Sequence, residues 1–292
     1  MWSWGAPGIN TTASGSFEGR LTSVSLSTTK PTLTMAKNYR LTTHLSALLV
    51  ACLLSATASA QFAGDLKFGL QLSPTFSYLT TDDNLINNDG SNLGLKLGLV
   101  GEYYIAENYS IHSGLGFHFN AGGTLFFEDR FERVDIWREP LDENVLPSEL
   151  PDSLSGGIGF KYDLQYLEIP LGITLRTREF GYLRYWARPA LHLGILTQSR
   201  GSLENVGFIS SDEEFSISPA VNGVNLGWSI NGGVEYSISE STALFAGIGF
   251  QSGFADVTTD KDTEVVRPGR PAQEEDSKGR LSSIVIHFGV MF

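Results

Sequence analysis

Positive charge, cysteine and long apolar runs are all scarce in this sequence. Lys and Arg total 20 against 32 Asp and Glu, a formal charge of −12. A nucleic-acid binder needs a basic footprint to displace counterions, so nucleic acid is excluded as a partner. The single cysteine, Cys52, excludes an intramolecular disulfide framework. Beyond the N-terminal segment no apolar run reaches the roughly 18 residues of a spanning helix. Charged residues are only 18% of the chain, while Gly reaches 32 and aromatics 11%. That balance suits a sheet protein with close backbone contacts.

Chemical fingerprints are lacking too. No Ser stands in a nucleophile-elbow context, so no enzyme is expected. No cofactor and no metal are expected either. The stretch from Asp82-Asp83-Asn84 to Asp89-Gly90 is acidic but lacks the spacing and closing Glu of a calcium loop. It reads as a solvated acidic surface, with cation bridging to lipopolysaccharide as the alternative.

What is present begins at Met35, MAKNYRLTTHLSALLVACLLSATASAQ. Lys37 and Arg40 precede an apolar core, Leu45 to Leu54, and Ala58-Ser59-Ala60 offers small residues for cleavage. Residues 35–60 are therefore expected to be a cleavable export signal and 1–34 an upstream leader or mis-called start. A lipobox reading of Leu49-Val50-Ala51-Cys52 is weaker, because the apolar run continues past Cys52. Residues 1–60 hold four basic and one acidic residue, so the remainder carries a formal −15.

Residues 61–292 repeat one pattern eight times: large apolar residues at every second position over about ten residues. Leu66, Phe68, Leu70 and Leu72 open it. Leu93 to Leu99, Ile111 to Phe119, Leu167 to Leu175, Leu191 to Ile195, Leu226 to Val234 and Leu244 to Phe250 continue it. Ile284, Ile286, Phe288, Val290 and Phe292 close it. Between them lies a mixed set with Lys96, Glu102, His112, His118, Glu168, Arg176, Arg188, His192, Asn231, Glu235, Gln251, His287 and many glycines.

Short connections near 106–108, 177–183 and 239–241 alternate with long ones over 80–92, 121–161, 199–224 and 255–280. Turns at one rim and loops at the other predict an eight-stranded antiparallel up-and-down transmembrane β-barrel. A soluble barrel or sandwich shares the alternation. The export signal and the loop asymmetry favour the membrane form. In hydrocarbon the apolar rows face lipid and the charged set crowds a bore too narrow for a pore.

Hairpin geometry then predicts interior pairs. A turn centred near Glu107 sets Glu102 opposite His112 and Lys96 opposite His118. One centred near Phe180 sets Glu168 opposite His192, with Arg188 close by. Such pairs read as contacts that plug the interior, since buried charge is costly unless paired. Tyr103, Tyr109, Tyr185, Trp186 and Tyr236 are expected in an aromatic girdle at the short-turn rim. Pro74, Pro170 and Pro189 are expected to mark bulges or bends.

Tyr166-Leu167-Glu168-Ile169-Pro170-Leu171 and Gly232-Gly233-Val234-Glu235-Tyr236 resemble strand motifs of the PorT-like outer-membrane β-barrel family, as does the Phe292 ending. The resemblance implies a barrel in the outer membrane of a Gram-negative bacterium, with long loops extracellular and Phe292 read by the barrel assembly machinery. Lipid and lipopolysaccharide would surround it. A structural or partner-binding role through the loops is expected, with the 121–161 loop as the contact; it holds nine acidic and four basic residues. The alternatives are a subunit of a type IX-like secretion assembly with envelope partners, and a barrel enzyme acting on lipid.

Overall fold

A computed structural model describes residues 66–137, 154–206, 214–259 and 263–292. The leader and export signal expected over 1–60 lie outside those residues. Twelve strands and one 3-10 turn occur among them. Eight are long: β1 (Leu66–Thr80), β2 (Ile86–Ala106), β3 (Tyr109–Phe127), β5 (Ile158–Arg176), β6 (Leu183–Glu204), β8 (Val224–Ser237), β9 (Ala243–Gly253) and β12 (Arg280–Met291). Four are short and were not expected: β4 (Arg133–Asp135), β7 (Phe215–Ser216), β10 (Glu264–Val266) and β11 (Gln273–Glu274).

Each long strand pairs antiparallel with its long neighbour in the chain. Strands β1 and β12 pair as well, Leu70 opposite Val290 and Thr80 opposite Arg280. The order β5-β3-β2-β1-β12-β9-β8-β6 is joined end to end by the β5–β6 pairing. No long strand is left with a bare edge along its whole length, the condition hydrocarbon imposes on a sheet.

The alternation sorts the two faces. On β2, Leu93, Leu97, Leu99, Tyr103 and Ile105 are exposed, while Asn92, Lys96, Val100 and Glu102 are buried. Outward rows recur as Ile111 and Leu115, Leu171 and Ile173, Leu191 and Ile195, Ile248 and Phe250, and Ile284 and Phe288. So large an exposed apolar surface, sealed around buried ions, suits acyl chains and not water.

Trp186 departs from the girdle expected for it. It is 4% exposed and points inward with Val100, Phe245 and Met291, while its neighbour Tyr185 points out. Successive strand residues take opposite faces, so Tyr185 and Trp186 cannot share one. The indole lies across Gly233 and Gly247, where a Cβ would come within 2.8 and 2.6 Å of its Cζ2. Only glycine leaves room for it there. Tyr103, Tyr109, Tyr185 and Tyr236 do face outward.

The prolines carry no register shift. Pro74 pairs with Leu95, Pro170 with His192 and Pro189 with Ile230 on one side, while on the other side the pairing lapses at each proline and resumes in the same register. Irregularities fall instead at Asn88/Gly90, Tyr104/Ala106, His118/Ala121 and Gln165/Tyr166.

The long connections also differ from expectation. Part of what was read as loop continues the strands, so that β2, β3, β5 and β6 run 19 to 22 residues against 11 to 14 in β8, β9 and β12. On these extensions the inward positions turn apolar: Leu125, Phe127, Phe160, Leu164 and Leu203. Residues between the long strands, Phe131, Val134, Trp137, Phe215, Ile217, Val257 and Val265, pack onto them as a cap. Trp137 meets Phe160, Tyr162 and Phe215 edge-on at 4.9, 5.2 and 5.5 Å. Edge-on aromatic pairs are each worth about 0.5–1.5 kcal/mol beyond burial.

The cap's small sheet, β11-β10-β4, is tied by Arg133 to Glu264 and Asp135, and Arg267 ties the same region to Asp83. Asp82 accepts from the Lys278 backbone N–H at 2.9 Å, which holds its carboxyl below the usual value. The acidic pair Asp82-Asp83 is thus committed to protein partners.

Candidate functional site

The interior beneath the cap is polar and arranged in tiers. Nearest the short turns, Tyr104 lies under Arg176, whose guanidinium carbon is 5.1 Å from the ring centre. Above it Glu102, fully buried, accepts from Arg176 at 2.5 Å, Arg188 at 2.7 Å, Ser110 at 3.0 Å and Thr174 at 3.3 Å. Arg176 also donates to Glu235 at 2.9 Å. Strands β2, β3, β5, β6 and β8 meet through this one carboxylate and its partners. Buried charge at this density persists only when every ion is matched.

A second tier centres on Glu168. Lys96 Nζ lies 2.6 Å from one carboxylate oxygen, and His118 Nδ1 and Gln251 Nε2 each lie 3.2 Å from the other. Lys96 also donates to Gln251, and His118 Nε2 is 3.1 Å from Thr75 Oγ1. A third group joins His287, Asn231, Ser229 and His192: His287 Nε2 donates to Asn231 at 2.9 Å, and His192 Nε2 is 2.6 Å from Ser229. The cavity left among Lys96, His112, Glu168, His192 and His287 has a volume of about 70 Å³. That is room for a few waters.

The register sets Glu102 opposite His112 and Lys96 opposite His118. His112 Nδ1 nevertheless stands 3.8 Å from Glu102, too far for a hydrogen bond, because the arginines take the carboxylate. Glu168 does not face His192. It pairs with Gly194, and His192 pairs with Pro170. The hairpin is centred on Gly181, which takes φ +70°, and not on Phe180. Moving the centre by one residue moves every partner by two.

Arg176, Gln251, Asn231 and His287 were not singled out as network members, although all four lie on the polar parity of their strands. Their parity was readable. Their partners lie on distant strands, 155 residues away in the chain for Lys96–Gln251 and 216 for Gln71–His287, where no local spacing reaches.

Apolar rows outward, paired ions inward and antiparallel neighbours throughout define an integral β-sheet protein of the bacterial outer membrane. A family model described as "Outer membrane protein beta-barrel domain" matches residues 57–259, and the chain belongs to that family. No curated protein matches. Among solved structures, Neisserial surface protein A (NspA) is 13% identical over 77% of this chain and 95% of its own, with a TM-score of 0.40. A major outer membrane protein from Thermus thermophilus is 11% identical over 78% and 100%, with a TM-score of 0.37. Ail of Yersinia pestis is 9% identical over 79% and 100%, with a TM-score of 0.33.

Proposed function

We propose that the chain is a closed eight-stranded transmembrane barrel with a plugged lumen, and that its role is structural or partner-binding through the cap. The observation that carries this reading is the stack itself. The Glu102–Arg176–Arg188 tier blocks the short-turn end, the Glu168–Lys96 tier the middle, and the apolar cap around Trp137 the other end. An open pore keeps its wall charges hydrated; these are spent on one another.

The outward rows are the surface for lipid and lipopolysaccharide, and the cap stands on the extracellular side. Phe292, whose N–H donates to Phe68 at 2.7 Å, is the element offered to the assembly machinery. A non-catalytic role is supported by the enclosure of the Glu102–His112 and Glu168–His118 neighbours, since a catalyst must admit substrate to its base. The test is single-channel recording of the purified protein in planar bilayers at neutral pH. The reading expects a flat baseline; a persistent ohmic step would sink it.

A further inference from the structure

His287 sits where the first and last strands of the ring meet. From β12 its Nε2 donates to Asn231 Oδ1 on β8 at 2.9 Å, and its Nδ1 lies 3.1 Å from Gln71 Nε2 on β1. The Asn231 amide is fixed in orientation, because its nitrogen donates to the Arg188 carbonyl at 3.1 Å and to Ser229 at 2.9 Å. One imidazole thus bridges three strands, donating on one side and accepting from an amide N–H on the other. Only the neutral ring has both capacities.

The surroundings add to this. The charged and titratable groups that share a cavity with His287 are Arg188 and His192 from β6, Lys96 from β2, His112 from β3 and Glu168 from β5. Strands β1 and β8 present only Gln71, Ser73 and Asn231 to it, and Trp186 packs at 6.1 Å between ring centres. The carboxylates of the interior, Glu102, Glu168 and Glu235, are already matched by Arg176, Arg188 and Lys96. A proton added to the imidazole finds no free counter-charge among these groups and sets Nδ1–H against the Gln71 amide.

We propose that His287 is an acid-responsive latch on the β1–β12 seam: neutral, it ties the closing strands to β8; protonated, it releases them. The inference rests on the plugged-lumen reading above, because only a dry, charge-matched interior makes one extra proton costly. Histidine is the side chain whose charge changes in the range where envelope pH varies.

The test is amide hydrogen exchange of the full chain in lipid nanodiscs at neutral pH and at about pH 5, corrected for intrinsic chemical rates. Protection of β1 and β12 is expected to fall about tenfold on acidification while β3 and β5 hold theirs, and His287→Gln, which cannot ionise, is expected to remove the difference. Equal protection at both pH values, or the same fall in His287→Gln, would overturn the latch. A second measurement needs no variant: imidazole nitrogen NMR should show His287 neutral with its proton on Nε2 at neutral pH. A charged ring there, with Gln71 turned to accept from it, would overturn the proposal as well. Bilayer recording separates the two readings. A conducting protein at neutral pH removes the plug, whereas a silent one with a pH-insensitive seam removes only the latch.

Discussion

Arg176 and Glu102 lie 2.5 Å apart on strands that are not neighbours, with the guanidinium reaching past Ser110 to bind Glu235 as well. The contact spans the interior and not a ladder. It ties β2 to β5 past β3 and, through Glu235, to β8, as a ladder pair cannot. Replacing Arg176 leaves Glu102 with Arg188 alone among its ion partners and takes from Glu235 the guanidinium it is paired with. Arg176→Leu is therefore expected to cost about 3–5 kcal/mol in reversible urea unfolding from detergent micelles. Glu102→Gln with Arg176→Leu together should cost less than the two singles summed, since the double change removes one buried charge of each sign. Additive losses would show that the pair does not act as one.

The outward leucines make the opposite prediction from those of a soluble protein. Leu191 is 60% exposed to what surrounds the sheet. In water Leu191→Arg would be nearly neutral. At bilayer mid-depth it should cost about 2–4 kcal/mol, falling toward zero for the same change near either rim. Unfolding in lipid vesicles measures the difference, and a depth-independent cost near zero would contradict a lipid-facing row.

The cap should be separable from the barrel. A Cβ at Gly201 would meet Trp137 Cη2 at 2.5 Å and Ile217 Cγ2 at 2.9 Å. Gly201→Val is expected to expel the indole from its cluster, shifting tryptophan emission to the red and opening the connection after β3 to protease. The long strands should keep their resistance, because their pairing does not pass through Trp137. Loss of the whole barrel would mean that the two are one cooperative unit.

Phe292 should matter to delivery more than to stability. It is 56% exposed and touches the ring through one backbone pair with Phe68. Phe292→Ala is expected to lower the amount in the outer membrane severalfold while leaving refolding into detergent unchanged. An equal loss in both settings would assign it a structural role only.

How much of this was legible depended on range. Period-two alternation fixed which face each residue of the long strands takes, so Lys96, Glu102 and Glu235 could be placed inside before any coordinates. It even contained the answer for Trp186, adjacent to outward Tyr185, which the girdle expectation overrode. The Glu168 partner was lost to a single residue in the hairpin centre, because a left-handed Gly181 is one of several turns that length allows. The cap was illegible for another reason. On the extended strands the inward parity changes from polar to apolar at Leu125 and Leu164, since the interior there is filled by residues between the long strands. The β4–β10 pair that helps fill it joins residues about 130 positions apart, Arg133 and Val266, with no repeat to announce them.

The assignment of sides can be read directly by spin-label scanning of β2 in lipid bilayers, one nitroxide at a time from Leu93 to Glu102; the only native cysteine, Cys52, falls within the expected export signal. Labels at Leu93, Leu97 and Leu99 should relax with dissolved oxygen, and labels at Gly94, Lys96 and Gly98 should not, in a strict period of two. The opposite phase, with the lysine parity open to oxygen and the leucine parity shielded, would contradict the account.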